Sequence, residues 1–210
     1  MNLQKLFEIQ AVLDADILKH HPVQPGEDRL SKKILALLVE LGECANEWRG
    51  FKFWSNDQGG EKHLVKCECC NGKGFIDISP TAGGHGTEFC VFCEGTGLSD
   101  LLIEYVDCLH FALSIGNDLK IVQNHGLMKS FVAFNSVEAW SITNHFNYTF
   151  RQVKAFAETV DQSKPDKFFF ARALLAVLQL GHKLGFTWEQ IEQAYYSKNQ
   201  INFERQATGY

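Results

Sequence analysis

The sequence predicts an all-α helical bundle, interrupted once by a small cysteine-bearing module. Two observations predict the bundle: apolar residues recur at helical spacing through six segments, and no useful strand alternation appears outside residues 55–97. A third predicts the module. CxxC units at Cys67/Cys70 and Cys90/Cys93 lie in a glycine-rich stretch with no sustained helical period. The 210 residues, 45% hydrophobic and 21% charged, suffice for one sizeable core that carries such a module.

The first helix spans about Asn2 to Lys19, with Leu3, Leu6, Phe7, Leu13 and Ile17 on its apolar side, and is stopped by Pro22, Pro25 and Gly26. A second runs from about Asp28 to Trp54 on a stripe of Ile34, Leu37, Leu41, Ala45 and Trp48. Helix resumes from about Leu98 to Asn117 through Leu101, Leu102, Tyr105, Leu109 and Leu113. Asn135-x-x-Glu138 reads as a capping-box variant that opens a helix towards Val160. Pro165 suits the first turn of the next, which ends near Gly185. Thr187-x-x-Gln190 is a further capping box and starts the last helix.

Two pairs of acidic residues carry the chemistry. Glu40-x-x-Glu43 and Glu104-x-x-Asp107 each place two carboxylates on one helix face. Both pairs sit in very apolar sequence, ILALLVELGECANEW and LLIEYVDCLHFAL, and Glu47 extends the first face. Uncompensated carboxylates on largely buried helices are costly, and divalent cations resolve the cost. Hard oxygen ligands suit Mg²⁺ or Mn²⁺, and such a cluster suits phosphoryl or nucleotidyl transfer. A solvated or salt-bridged face is the competing reading. Sixty residues separate Glu43 from Glu104, 39 of them in 59–97. The remaining chain is enough to finish one helix and return antiparallel with the second pair opposite the first.

Cys67-x-x-Cys70-x-Gly72-x-Gly74 and Cys90-x-x-Cys93-x-Gly95-x-Gly97 are two copies of one knuckle. With 19 residues between Cys70 and Cys90, they suit a closed Cys₄ site for structural Zn²⁺, with no open position for catalysis. Cys69 falls outside the ligand set, and His63 and His85 read as loop histidines. A redox CxxC is the weaker alternative, because no thioredoxin-like βαβ context surrounds it. The repeats resemble the zinc-binding repeats of the DnaJ chaperone family over this module alone, which implies zinc rather than chaperoning. Cys44 and Cys108 read as buried thiols within helices.

Near the end of the chain, Lys198, Asn202 and Arg205 share one helix face. A lysine and an arginine flanking an amide suit a triphosphate with its sugar or base between them, though a solvated helix end has the same look. A net charge of −5 argues against duplex DNA as the main partner. The charge of the module neither demands nor forbids contact with nucleic acid. No apolar run reaches membrane-spanning length and the first residues are not signal-like, so the expected location is cytoplasmic.

The two acidic pairs, the stretch ELGECANEWRGFKFWS and a final pattern of Tyr195 or Tyr196, Lys198, Asn199, Asn202, Arg205, Gln206, Gly209 and Tyr210 resemble the dimeric dUTPases. These belong, with MazG-like enzymes, to the all-α nucleoside triphosphate pyrophosphatase superfamily. The resemblance covers most of 1–55 and 98–210. It implies a homodimer with a catalytic domain formed by 1–58 and 98–210, and it leaves 59–97 as an inserted zinc-ribbon-like module.

The implied reaction is hydrolysis of dUTP to dUMP and pyrophosphate. Glu40, Glu43, Glu104 and Asp107 would hold Mg²⁺, and Glu40 or Glu43 would also orient or deprotonate the attacking water. Lys198 and Arg205 would grip phosphates, Asn202 would bond the nucleoside, and Gln10 would read the uracil edge. His110 and Phe111 would line the base pocket, with core packing as their alternative; Trp54 reads as core packing. Asp14 departs from the pattern, standing on a first-helix face where an amide is expected. The nearest rival keeps the reaction and changes the base, to dCTP or a modified nucleotide. A rival of another class is a non-catalytic zinc-ribbon regulatory or nucleic-acid-binding protein.

Overall fold

Each helix starts where a short polar side chain can accept from its first free amides. The computed structural model describes residues 2–58, 66–78, 86–93, 95–123, 140–162 and 164–209. Helix α1 (Leu3–His20) is capped by Asn2, whose side chain accepts from the Lys5 amide. Helix α2 (Arg29–Trp48) is capped by Asp28, which takes both the amide and the hydroxyl of Ser31. Ser99 caps α3 (Asp100–Asp118), Ser141 caps α4 (Ile142–Asp161) and Asp166 caps α5 (Lys167–Lys183). The expected capping box of Thr187 and Gln190 is formed, and opens α6 (Trp188–Thr208).

Three boundaries differ from expectation. The second helix stops at Trp48 rather than Trp54, because Arg49 takes a left-handed conformation with φ 59° and the chain turns at once into Gly50. Trp54, expected in the core, is 66% exposed, and among the described residues its ring contacts are with its neighbours Phe51 and Phe53. Helix α4 opens at Ser141; the Asn135 and Glu138 box lies outside the described residues. Pro165 precedes the cap of α5 rather than entering its first turn.

Helix α3 is the central element. It packs on α1, α2, α5 and α6, and α4 pairs with α5 and also touches α2. Its sequence requires that position, since twelve of its residues are buried on every side but the one that carries Glu104, Asp107 and Phe111. The Lys33–Asp118 ion pair at 2.6 Å joins the start of α2 to the end of α3, so the two run antiparallel. Tyr105 is fully buried and its hydroxyl donates to the Val177 carbonyl on α5 at 3.3 Å. The hydroxyl end of the ring abuts Gly181, where an added Cβ would overlap it. Gly181→Ala therefore forces Tyr105 or α5 to move. The gain in helix propensity, about 1 kcal/mol, does not offset an overpacking cost of about 1–3 kcal/mol. The melting temperature should fall by a few degrees in calorimetry; an unchanged or higher value would contradict this packing.

The cysteine segment forms a two-stranded antiparallel sheet, β1 (Phe75–Ile78) and β2 (Gly86–Phe89), with Phe75 opposite Phe89. It rejoins the bundle at the head of α3, through the Lys66–Leu98 bridge and the Cys67 amide donating to the Gly97 carbonyl at 2.9 Å. Among the described residues, no helix is long and apolar enough to cross a membrane.

Candidate functional site

Antiparallel packing of α2 on α3 turns two sequence-distant acidic pairs into one group. Glu40, Glu43 and Glu104 each offer a carboxylate oxygen within 4.8 Å of the others. Asp107 stands beside them, with its Oδ2 3.0 Å from Nζ of Lys198 on α6. Lys198 is buried at 7% exposure, so the last helix delivers a cation into the acidic group. Glu47 is exposed and does not join.

Crowding is visible in the acidities. Glu40 is pushed up to about 7, first by burial and then by the charges of Asp107 and Glu43, while Lys198 opposes the shift. Glu104 is pushed up to about 8, again by burial first and then by Asp107, Glu40 and Glu43. Hard oxygen donors that repel one another across a few ångströms fit a Mg²⁺-type cation as the missing neutralising charge.

A consequence for stability follows. With no metal bound, Glu40 and Glu104 keep protons at pH values where the unfolded chain has lost them. The stability this confers is whole below the ordinary carboxylate range, near 4.5, and is lost as pH rises through 7 to 8. The melting temperature in EDTA should fall between about pH 6.5 and pH 8; below that range, where the unfolded chain protonates the histidines that are buried neutral, His110 and His145, the two effects oppose each other. A flat profile would mean that the carboxylates do not interact.

A cavity of about 870 Å³ opens beside this group. Glu40 and Asp107 line it, together with the residues expected at the base and phosphates: Gln10, His110, Phe111, Asn202 and Arg205. Gln10 is buried, and its amide is engaged by the protein itself. Its Oε1 receives Tyr195 OH at 2.7 Å and faces His110 Nδ1 at 2.8 Å, and its Nε2 donates to Asp14 at 2.8 Å. His110 stacks on Tyr195 with ring centroids 4.2 Å apart, and burial, followed by the Lys198 charge, pushes its pKa down to about 3, so it is neutral. Phe111 is half-buried at the wall. Of the two tyrosines the sequence left open, Tyr195 is the buried one; the Tyr196 hydroxyl donates to Glu192. Asp14 and Ser114, joined at 2.8 Å, complete a network that sequence reading did not assemble.

The four knuckle cysteines converge separately. Cys67 and Cys90 sulfurs lie 3.9 Å apart and Cys70 and Cys93 sulfurs 3.7 Å apart, too far for disulfides. Four thiolates placed tetrahedrally at 2.3 Å from one ion lie about 3.8 Å apart, so the spacing fits Zn²⁺. The knuckles are near copies: the Gly74 amide donates to Cys70 Sγ and the Gly97 amide to Cys93 Sγ, both at 3.2 Å. Both glycines have φ above 70°, the left-handed turn that aims those amides. Cys69 is exposed and lies beside Cys90 without joining the four-sulfur group, while Cys44 and Cys108 are buried in the bundle. His63 and His85 lie outside the described residues.

A family model for dUTPase matches residues 2–79 and 94–210. The chain belongs to the dUTPase family. The dUTPase match contains all four acidic residues, Gln10, His110 and the Lys198–Arg205 helix. It omits residues 80–93, which hold Cys90 and Cys93. No curated relative matches the chain.

Proposed function

We propose that the chain hydrolyses a deoxynucleoside triphosphate to its monophosphate and pyrophosphate, using Mg²⁺, with dUTP the substrate that family membership points to. The observation that carries this is the convergence of Glu40, Glu43 and Glu104 within 4.8 Å, beside a cavity lined by Asn202 and Arg205. Glu40, Glu43, Glu104 and Asp107 are the residues that would hold Mg²⁺. When bound, Mg²⁺ would supply positive charge to the phosphate oxygens and lower the pKa of the attacking water. Glu40 or Glu43 orients that water and takes its proton. Lys198 holds Asp107 in place until the triphosphate arrives, and with Arg205 grips the phosphates. Asn202 bonds the nucleoside, while Phe111 closes the cavity wall.

Residues 1–58 and 98–210 form the catalytic domain on this reading, and 59–97 an inserted structural Zn²⁺ module held by Cys67, Cys70, Cys90 and Cys93. A homodimer is proposed from the family. It is supported by Leu35 and Val39, 62% and 49% exposed one turn apart on α2. The compartment proposed is the cytoplasm. The second reading, a non-catalytic zinc-ribbon protein that binds nucleic acid, draws on exposed Phe89, Val91 and Phe92 in the module.

Pyrophosphate release from a panel of deoxynucleoside triphosphates, with Mg²⁺ and with EDTA, tests the proposal. Mg²⁺-dependent turnover is expected. Silence across the panel, with retained binding to single-stranded nucleic acid, would favour the second reading.

A further inference from the structure

The inner wall of the bundle cavity has a fixed hydrogen-bond polarity, and Asp14 fixes it. A carboxylate can only accept, so Gln10 must turn its Nε2 towards Asp14 Oδ1, 2.8 Å away. Gln10 Oε1 then faces His110 and Tyr195, and it too can only accept. His110 must therefore donate through Nδ1, which leaves its Nε2 as a bare lone pair. Ser114 Oγ also spends its proton on Asp14 Oδ1, at 2.8 Å. The Ser114 and Tyr195 hydroxyls and one Gln10 Nε2–H are thus spent within the wall.

Two acceptors of this network remain; Gln206 Oε1, buried and without a hydrogen-bond partner on the same cavity, adds a third acceptor outside it. Asp14 Oδ2 and His110 Nε2 are both buried, both belong to residues lining the cavity, and neither has a partner. His110 as a whole is 6% exposed. Buried polar atoms in folded proteins are nearly always satisfied, so a wall that keeps two buried acceptors unpaired is complementary to a ligand that brings N–H groups. Pyrimidines differ on this point. Uracil presents two carbonyl oxygens flanking a single N–H, and a carbonyl set against the Asp14 carboxylate would repel it. Cytosine replaces one carbonyl with an amino group that carries two N–H donors. Its remaining ring acceptors need a donor, which the Asn202 amide on the same cavity can offer.

We propose that Asp14 makes this pocket selective for a deoxycytidine nucleotide over a deoxyuridine nucleotide, with Asp14 Oδ2 and His110 Nε2 accepting from the 4-amino edge. The inference rests on the pyrophosphatase reading and changes its base. It also makes a sharp statement about one substitution. In Asp14→Asn the side chain at position 14 can donate, so the Gln10 amide can flip, His110 can accept at Nδ1, and its Nε2 becomes an N–H. The wall then suits a carbonyl edge. One residue inverts the polarity of the network without touching the carboxylate group.

The experiment is calorimetric binding of dCMP and dUMP to the full chain in Mg²⁺, with turnover of dCTP and dUTP beside it. The wild type should bind dCMP and turn over dCTP at least about tenfold better than the uracil counterparts, a modest value for a site built around a hydrogen bond. Asp14→Asn should reverse the preference. Equal or tighter binding of dUMP by the wild type overturns the proposal, and so does a ratio that Asp14→Asn leaves unmoved. If that variant fails to fold, the wild-type ratio alone decides. Hydrolysis of neither triphosphate would instead sink the pyrophosphatase reading, and the monophosphate binding ratio would still decide the base.

Discussion

Glu43→Gln should reduce Mg²⁺-dependent pyrophosphate release by at least about 10³-fold while leaving the protein folded and, without metal, no less stable than the wild type. Two effects combine in the rate: a charged ligand of the three-carboxylate group is lost, and so is a candidate base for the water, itself worth about 10²–10⁴-fold. Stability moves the other way. Glu43 raises the proton affinity of both Glu40 and Glu104, so its charge is part of the repulsion the metal-free fold must bear. It is also exposed, so glutamine leaves no cavity. Loss of rate with a level or raised melting temperature in EDTA is the signature of a site that sacrifices stability for function. Turnover near the wild-type level would remove Glu43 from the mechanism. Loss of rate with a fallen melting temperature would make its role structural.

The acidic group was legible in sequence because its ingredients are local. An i, i+3 pair on an apolar helix declares its own face, and only the antiparallel return of α3 had to be supplied. The knuckles were legible for the same reason, since each repeats its glycines at fixed offsets from its cysteines. What escaped is long-range or conditional. The Tyr195–Gln10 bond spans 185 positions and the His110–Gln10 bond 100, and no local pattern announces either. Asp14 was visible as an unexpected residue, but that its charge sets the orientation of Gln10 and His110 needs their coordinates. Likewise, the placement of Lys198 against Asp107 depends on how α6 crosses α3. The early stop of α2 was conditional: the sequence after Trp48 stays apolar and aromatic, and only the left-handed turn at Arg49 shows that Phe53 and Trp54 face solvent.

Removing the proposed Zn²⁺ from the cysteine group should unfold the module and loosen the first turn of α3, without dismantling the bundle. The module's buried cluster consists of the four cysteines with Ile103 packed against them. Its strands are four residues each, and Phe75, Phe89 and Phe92 are exposed. Among the described residues nothing else of comparable size holds this segment together, so on the zinc proposal the binding free energy of the ion is its folding free energy. The damage has a route to the proposed metal-binding residues. Ile103 is on α3, Ser99 caps that helix two residues after Gly97, and Glu104 lies within its first turns. In Cys93→Ser, or after chelation, hydrogen exchange should therefore lose protection over 66–98 and into 99–103 while α4 and α5 keep theirs. The Mg²⁺ concentration for half-maximal rate should rise several-fold through the loosened hold on Glu104, with a smaller change in the maximal rate. One zinc per chain by elemental analysis is the accompanying expectation. Protection unchanged by chelation would show that the four cysteines hold the segment without an ion. A maximal rate lost outright at saturating Mg²⁺ would show instead that the module takes part in the site itself.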